Sequence, residues 1–129
     1  MKLTERVQLV GHVSGQQKVN LYRSAQFFIC PSRREPFANV ILEALASGLP
    51  VLATDVGGNR QLVLHEKHGL LSPIEDVSQL AQNLQACMEE PDRLERYRAA
   101  VPGFISQFDW PLVAGRYREL YEQVIAAKQ

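Results

Sequence analysis

Short apolar runs alternate with helix-like segments along the first half of this chain, and that alternation limits the fold more than any other feature. The runs at 7–10 (VQLV), 27–30 (FFIC), 51–53 (VLA) and 69–71 (GLL) are apolar or β-branched and bounded by Gly, Pro or Ser. They predict strands buried on both faces. Between them, 17–24, 39–47 and 59–64 carry helical patterns. Strand and helix in turn imply an α/β layer fold with a short, mostly parallel sheet of about four strands.

Beyond residue 75 the pattern is helical alone. Asp76 is a predicted N-cap with Gln79 three residues on, and Val77, Leu80, Ala81, Leu84 and Met88 form one apolar face. A helix after Pro91 should turn Leu94 and Tyr97 inward. The last helix opens with Asp109 as N-cap and Pro111 in its first turn, and its stripe of Val113, Tyr117, Leu120, Tyr121 and Val124 reads as core packing.

At 129 residues the chain amounts to one domain, long enough to form a core without a disulfide or metal. Lys and Arg together number 14, as do Asp and Glu, and this balance argues against nucleic acid as a partner. Cys30 and Cys87 lie in apolar surroundings without CxxC spacing, as free thiols of a reducing compartment do. No apolar run approaches the roughly 20 residues that span a bilayer, and MKLTERVQLV lacks the apolar stretch of a signal peptide. The expectation is a soluble, cytoplasmic protein without a transmembrane segment.

The chemistry concentrates in 31–58, PSRREPFANVILEALASGLPVLATDVGG. The helix at 39–48 is apolar almost all round and should be buried, yet it carries Glu43. A buried carboxylate demands a cation, several donors or a ligand hydroxyl. The helix is entered from a strand, through a loop at the carboxyl edge of a parallel sheet, where ligands of open α/β sheets collect. Its first amides, near Ala38, Asn39 and Val40, suit a phosphate. Two readings stand: Asn39 caps the helix and Glu43 pairs with Arg33, Arg34 or Arg60 for structure alone, or Glu43 receives a ligand. Gly57 and Gly58 serve a tight turn or a phosphate nest, and Arg33 and Arg34 steer a diphosphate or pair with nearby acids. His65 and His68 have the spacing of a short H-x-x-H with no third ligand, so no metal site is expected.

EPFANVILE, with Glu35 and Glu43 separated by seven residues and followed by EALASGLPVLATDVGG, resembles the E-x7-E signature of retaining GT-B glycosyltransferases, in particular the large group 1 (GT4) family. VQLVGHV resembles the strand preceding the site and FFICPS the strand leading into it. GLLSPIEDVSQLAQNL resembles the stretch that follows, and FDWPLVAGRYRELYEQV the terminal helix. The likeness covers nearly the whole chain. It implies Rossmann-like αβα layers, with residues 1–129 forming part of the C-terminal, nucleotide-sugar (donor) binding domain.

The implied reaction is transfer of a hexose from a nucleoside-diphosphate sugar to an acceptor hydroxyl with retention at the anomeric carbon, without a metal or other cofactor. By the same resemblance Glu35 is the catalytic carboxylate beside the donor sugar, and Pro36, Phe37 and Ala38 offer backbone to that sugar. The amides of Asn39 and Val40 hold the distal phosphate, Glu43 accepts the ribose hydroxyls, and His12 borders the base, its alternative being a solvated loop histidine. Ala38 stands where the family usually has Gly, and Gln61 where an acidic residue is common.

The resemblance also implies missing parts: the acceptor domain, the opening strands of the donor domain, and a basic pair that clamps the diphosphate. Weak donor binding and no independent turnover are then expected. The strands resembling VQLVG and FFICP are separated in the family's sheet by two strands absent here. Either another chain fills the gap or 7–10 pairs anew beside 27–30, and an unfilled edge would invite self-association. The alternative function is a non-catalytic nucleotide-binding or interaction subunit completed by a partner chain.

Overall fold

The computed structural model describes residues 5–127. Three parallel strands, β1 (Phe28–Cys30), β2 (Val51–Thr54) and β3 (Gly69–Ser72), form one sheet in the order β1-β2-β3. Phe28 pairs with Val51, and Val51 with Gly69. Helix α1 (Gly15–Ser24) precedes β1, α2 (Asn39–Ala46) joins β1 to β2, and the single turn α3 (Asn59–Leu62) lies between β2 and β3. Helices α4 (Val77–Glu89), α5 (Pro91–Ile105) and α6 (Trp110–Ala126) follow, the last two joined by a 3-10 turn.

Side chains alternate across a strand, so a central strand buried throughout must meet apolar layers on both faces. Along β2, Val51 and Ala53 join Ile41, Ala44, Leu45, Leu62 and Val63 on one side. Leu52 packs on the other with Leu70, Cys87, Leu94 and Tyr97. Helix α5 reaches both layers, its Leu94 and Tyr97 in the second and its Val101 in the first. Between α2 and β2, Gly48 sits at φ 78° and donates to the Leu45 carbonyl while the Leu49 amide donates to Ala44. This left-handed stop ends the helix and aims the chain into β2. Gly69 is required for another reason: a Cβ there would strike the Val51 carbonyl and break the β2–β3 pairing.

Four expectations change. Residues 7–10 form no strand, and Val7, Leu9 and Val10 are exposed, Leu9 at 97%. No described strand pairs on the outer edge of β1, and an isolated extended segment has no ladder to satisfy it. Helix α2 is buried on one face only, through Ile41, Ala44 and Leu45, while Val40 is 41% exposed. Helix α4 keeps only part of its predicted face: Asp76 caps it as expected, accepting from the Gln79 amide at 2.8 Å, and Leu80 and Leu84 pack on the second layer, but Asn83 and Cys87 are buried while Val77 and Met88 are exposed. The cause is polar. Asn83 donates to the buried Ser72 hydroxyl at 2.9 Å, which fixes the side of the helix that faces β3.

The fourth change concerns α6. None of its described residues is buried, and Tyr117, Leu120, Tyr121 and Val124 are about half exposed rather than packed in the core. Cys30 and Cys87 are buried free thiols, and among the described residues no helix is long and apolar enough to cross a membrane.

His68, 1% exposed, stacks on Phe104 with ring centroids 4.3 Å apart, and its Nδ1 is buried without a partner. Burial pushes its pKa below the ordinary value. The unfolded chain therefore binds a proton that the folded chain resists. The contribution to stability is complete above about pH 6.5, the unfolded value, and is lost as pH falls toward the depressed folded value. The urea midpoint is expected to fall as pH drops from 7 to 5, and His68→Leu should flatten that slope. An unchanged slope in the variant would assign the acid sensitivity to other groups.

Candidate functional site

The β1–α2 loop and the first turn of α2 assemble the predicted residues at the carboxyl edge of the sheet. Glu35 is half-buried, and its Oε1 accepts from the Phe37 amide at 3.3 Å, a local turn that sets the carboxylate against its own loop. Pro36 and Phe37 are exposed, as are Asn39 and Val40. Ala38, 2% exposed, belongs to the core layer under α2, so its methyl points into packing.

Ala38, not Asn39, is the N-cap of α2, and it provides no side-chain acceptor. A helix leaves its opening amides without carbonyl partners. With no capping side chain from this residue, those at Asn39 and Val40 are available to solvent or to an anion.

Glu43 does not pair with Arg33, Arg34 or Arg60. Its Oε1 receives the Lys18 ammonium at 2.8 Å and its Oε2 the Tyr22 hydroxyl at 3.1 Å, both donors coming from α1. Lys18 and Tyr22 are four residues apart and share a helix face, a spacing visible in the sequence whose target is set only by how α1 packs on α2. Arg60 is bound to Asp55 at 2.6 Å, and Arg33 lies 3.7 Å from Glu75. The expectation of a deeply buried Glu43 is also corrected. Its side chain is 38% exposed, since α1 covers the α2 face that carries it only in part. Burial and the neighbouring Glu43 push the Tyr22 hydroxyl up to about 12, so it stays a donor across the physiological range.

Beside this cluster opens a cleft of about 640 Å³, lined by His12, Val13, Lys18, Tyr22 and Val40 among others. His12 and Val40 both line it. The two histidines of the H-x-x-H are engaged elsewhere: His65 Nδ1 accepts from the Leu71 amide, and His68 Nε2 faces the Leu64 amide at 3.4 Å. Among the described residues no group of three or more His, Cys, Asp or Glu side chains could hold a metal ion.

The site therefore combines two carboxylates, uncapped helix amides between them, and a largely apolar cleft alongside. Sucrose-phosphate synthase from Thermosynechococcus elongatus superposes with TM-score 0.85 at 33% identity, over 97% of this chain and 32% of that one. Anabaena Alr3699/HepE, solved in complex with UDP-glucose, superposes with TM-score 0.73 at 28% identity, over 80% of this chain and 29% of its own. The D-inositol 3-phosphate glycosyltransferase of Thermobispora bispora is 36% identical over 81% of this chain and 24% of its own length. The chain thus spans about a quarter to a third of these relatives. Its partial GT-B architecture agrees with these neighbours. With residues 1–90 matching the family model described as glycosyl transferases group 1, the chain belongs to the group 1 glycosyltransferases.

Proposed function

We propose that this chain supplies the donor-binding part of a retaining hexosyl transfer from a nucleoside-diphosphate sugar to an acceptor hydroxyl. The observation that carries the reading is the start of α2, whose N-cap provides no side-chain acceptor and which is flanked by Glu35 on its entry loop and Glu43 one turn in. The distal phosphate sits on the Asn39 and Val40 amides, where the helix dipole favours negative charge. Glu43 accepts the ribose hydroxyls, and the base extends along the cleft past His12. Glu35 hydrogen-bonds the donor sugar, with the backbone of Pro36, Phe37 and Ala38 beside it.

The step breaks the bond between the anomeric carbon and the diphosphate oxygen and forms one to the acceptor oxygen on the same face. The acceptor proton passes to the departing phosphate. Charge develops on that phosphate and on an oxocarbenium-like sugar, and fixed amides and a fixed carboxylate stabilise both without reorganising. The chemistry asks for no metal from these residues. An exposed helix terminus contributes only about 0.3–1 kcal/mol toward an anion. A cationic clamp and an acceptor domain, outside this quarter to third of the relatives' length, therefore complete the enzyme in this reading. The isolated chain binds donor weakly and does not turn over.

One observation favours the alternative, a non-catalytic nucleotide-binding or interaction subunit completed by a partner chain. The apolar face of α6 is uncovered, as an element that docks on another polypeptide would be.

An NMR titration with UDP-, GDP- and ADP-glucose, following the amides from residues 35 to 43, tests the reading. Localised, saturable shifts are expected with one of the three. Dispersed spectra that none of the three moves would overturn donor binding by this chain.

A further inference from the structure

The β2–α3 turn, 55–58, lies directly against the loop that carries Glu35. The Gly58 amide donates to the Glu35 carbonyl at 3.0 Å. A Cβ on Gly58 would overlap the Pro36 carbonyl oxygen and come within 2.7 Å of the Phe37 Cα, and one on Gly57 would reach 2.5 Å from the Glu35 carbonyl oxygen. These are backbone atoms, so no flexible side chain can yield. Gly57 also sits at φ 28°, in a region that disfavours a side chain.

The other end of the same loop is held from the same strand. The Thr54 hydroxyl donates to the Ser32 carbonyl, and Asn59, fully buried, donates from its side-chain amide to the Thr54 carbonyl at 3.1 Å. Thus β2 and its turn grip the β1–α2 loop before and at Glu35. The loop's own hydrogen bond, from the Phe37 amide to the Glu35 carboxylate, then decides only the last torsions of that side chain.

We propose that Gly58, assisted by Thr54, is a positioning residue for Glu35: it sets the backbone height from which that carboxylate meets the donor sugar. The glycine pair forms the expected tight turn, here packed on the Glu35 loop, and the Gly58 amide is engaged by that loop rather than open to a phosphate. The inference rests on the donor-binding reading above. It predicts a separation that a generally structural residue would not produce. Diphosphate and ribose are held by α2 and Glu43, so displacement of the 35–37 loop should weaken the sugar's hold and leave the nucleotide's intact.

The test is Gly58→Ala in the full chain, titrated with UDP and with UDP-glucose, with the GDP and ADP pairs run alongside. Affinity for the nucleoside diphosphate should stay within about twofold, while affinity for the sugar nucleotide falls about tenfold, the effect of roughly one misplaced hydrogen bond. Thr54→Val, nearly the same volume without the hydroxyl, should shift the ratio in the same direction by less, and it keeps the proposal testable if Gly58→Ala fails to fold. Gly103→Ala, where a Cβ meets nothing within 4 Å, should leave the ratio unchanged. Equal weakening of both ligands in Gly58→Ala and Thr54→Val would overturn the proposal and leave a structural turn. If the wild-type chain binds none of the ligands, the donor-site reading fails, and ligand-free spectra decide the positioning. Displaced amides at 35–38 in Gly58→Ala, with α4 and α5 unmoved, support it; unmoved amides there overturn it.

Discussion

In the proposed donor site, Glu43→Gln is expected to lower sugar-nucleotide affinity by about 10- to 100-fold while changing the urea midpoint little. A ribose diol offers two hydroxyl donors to one carboxylate, and hydrogen bonds to a charged group contribute about 1.5–3 kcal/mol each. Glutamine retains one acceptor and substitutes a donor for the other. On the folding side, the pair lost is Lys18–Glu43, with both side chains more than a third exposed. Such pairs contribute at most about 1 kcal/mol after solvent screening. The two quantities therefore separate: calorimetric titration should register the change and denaturation should not. A variant that binds normally but unfolds at markedly lower urea would restore the purely structural account of Glu43, with Lys18 and Tyr22 as its partners.

Leu52→Ala should have the largest effect on stability, a loss of about 3 kcal/mol within the roughly 2–5 typical of buried leucines. Leu52 is 1% exposed at the centre of β2, against Leu70, Cys87, Leu94 and Tyr97. Those contacts tie β2 and β3 to α4 and α5. Among the described residues the sheet has three short strands, so little else on that face can close around the cavity. Total stabilities of single domains are about 5–15 kcal/mol, and the variant should show a much lower urea midpoint. Leu9→Ala, at an exposed position, is the matched control and should do nothing. A Leu52→Ala loss below about 1 kcal/mol would mean that the α4–α5 layer is loosely packed and can collapse inward.

Both expectations draw on features of different legibility. β2 could be read from VLA alone, because a short apolar run between Pro50 and a Gly-Gly pair has few alternatives in an α/β pattern. α5 was equally plain: Pro91 opens it, and Leu94 and Tyr97 point inward as spaced. The strand at 7–10 failed for a reason outside its own residues, since pairing depends on a neighbour and no described strand lies there. α6 formed where Asp109 and Pro111 place it, but the burial of its apolar face failed in the same way. Its stripe of Tyr117, Leu120, Tyr121 and Val124 is amphipathic by sequence, but amphipathicity states that a face wants cover and not that this chain provides it.

Periodicity and turn residues were enough for the α/β alternation and for the loop and helix on which the candidate site lies, because these are local along the chain, while the family came from the resemblance of EPFANVILE and its flanking segments. The tertiary structure alone decided what each group faces: Lys18 and Tyr22 against Glu43, Asn83 turning α4 onto Ser72, Gly58 against the Glu35 loop. These contacts join residues 11 to 25 positions apart, across elements whose relative placement comes from packing the two layers on β2. Spacing within one helix or strand holds no information about such distances until the core has formed.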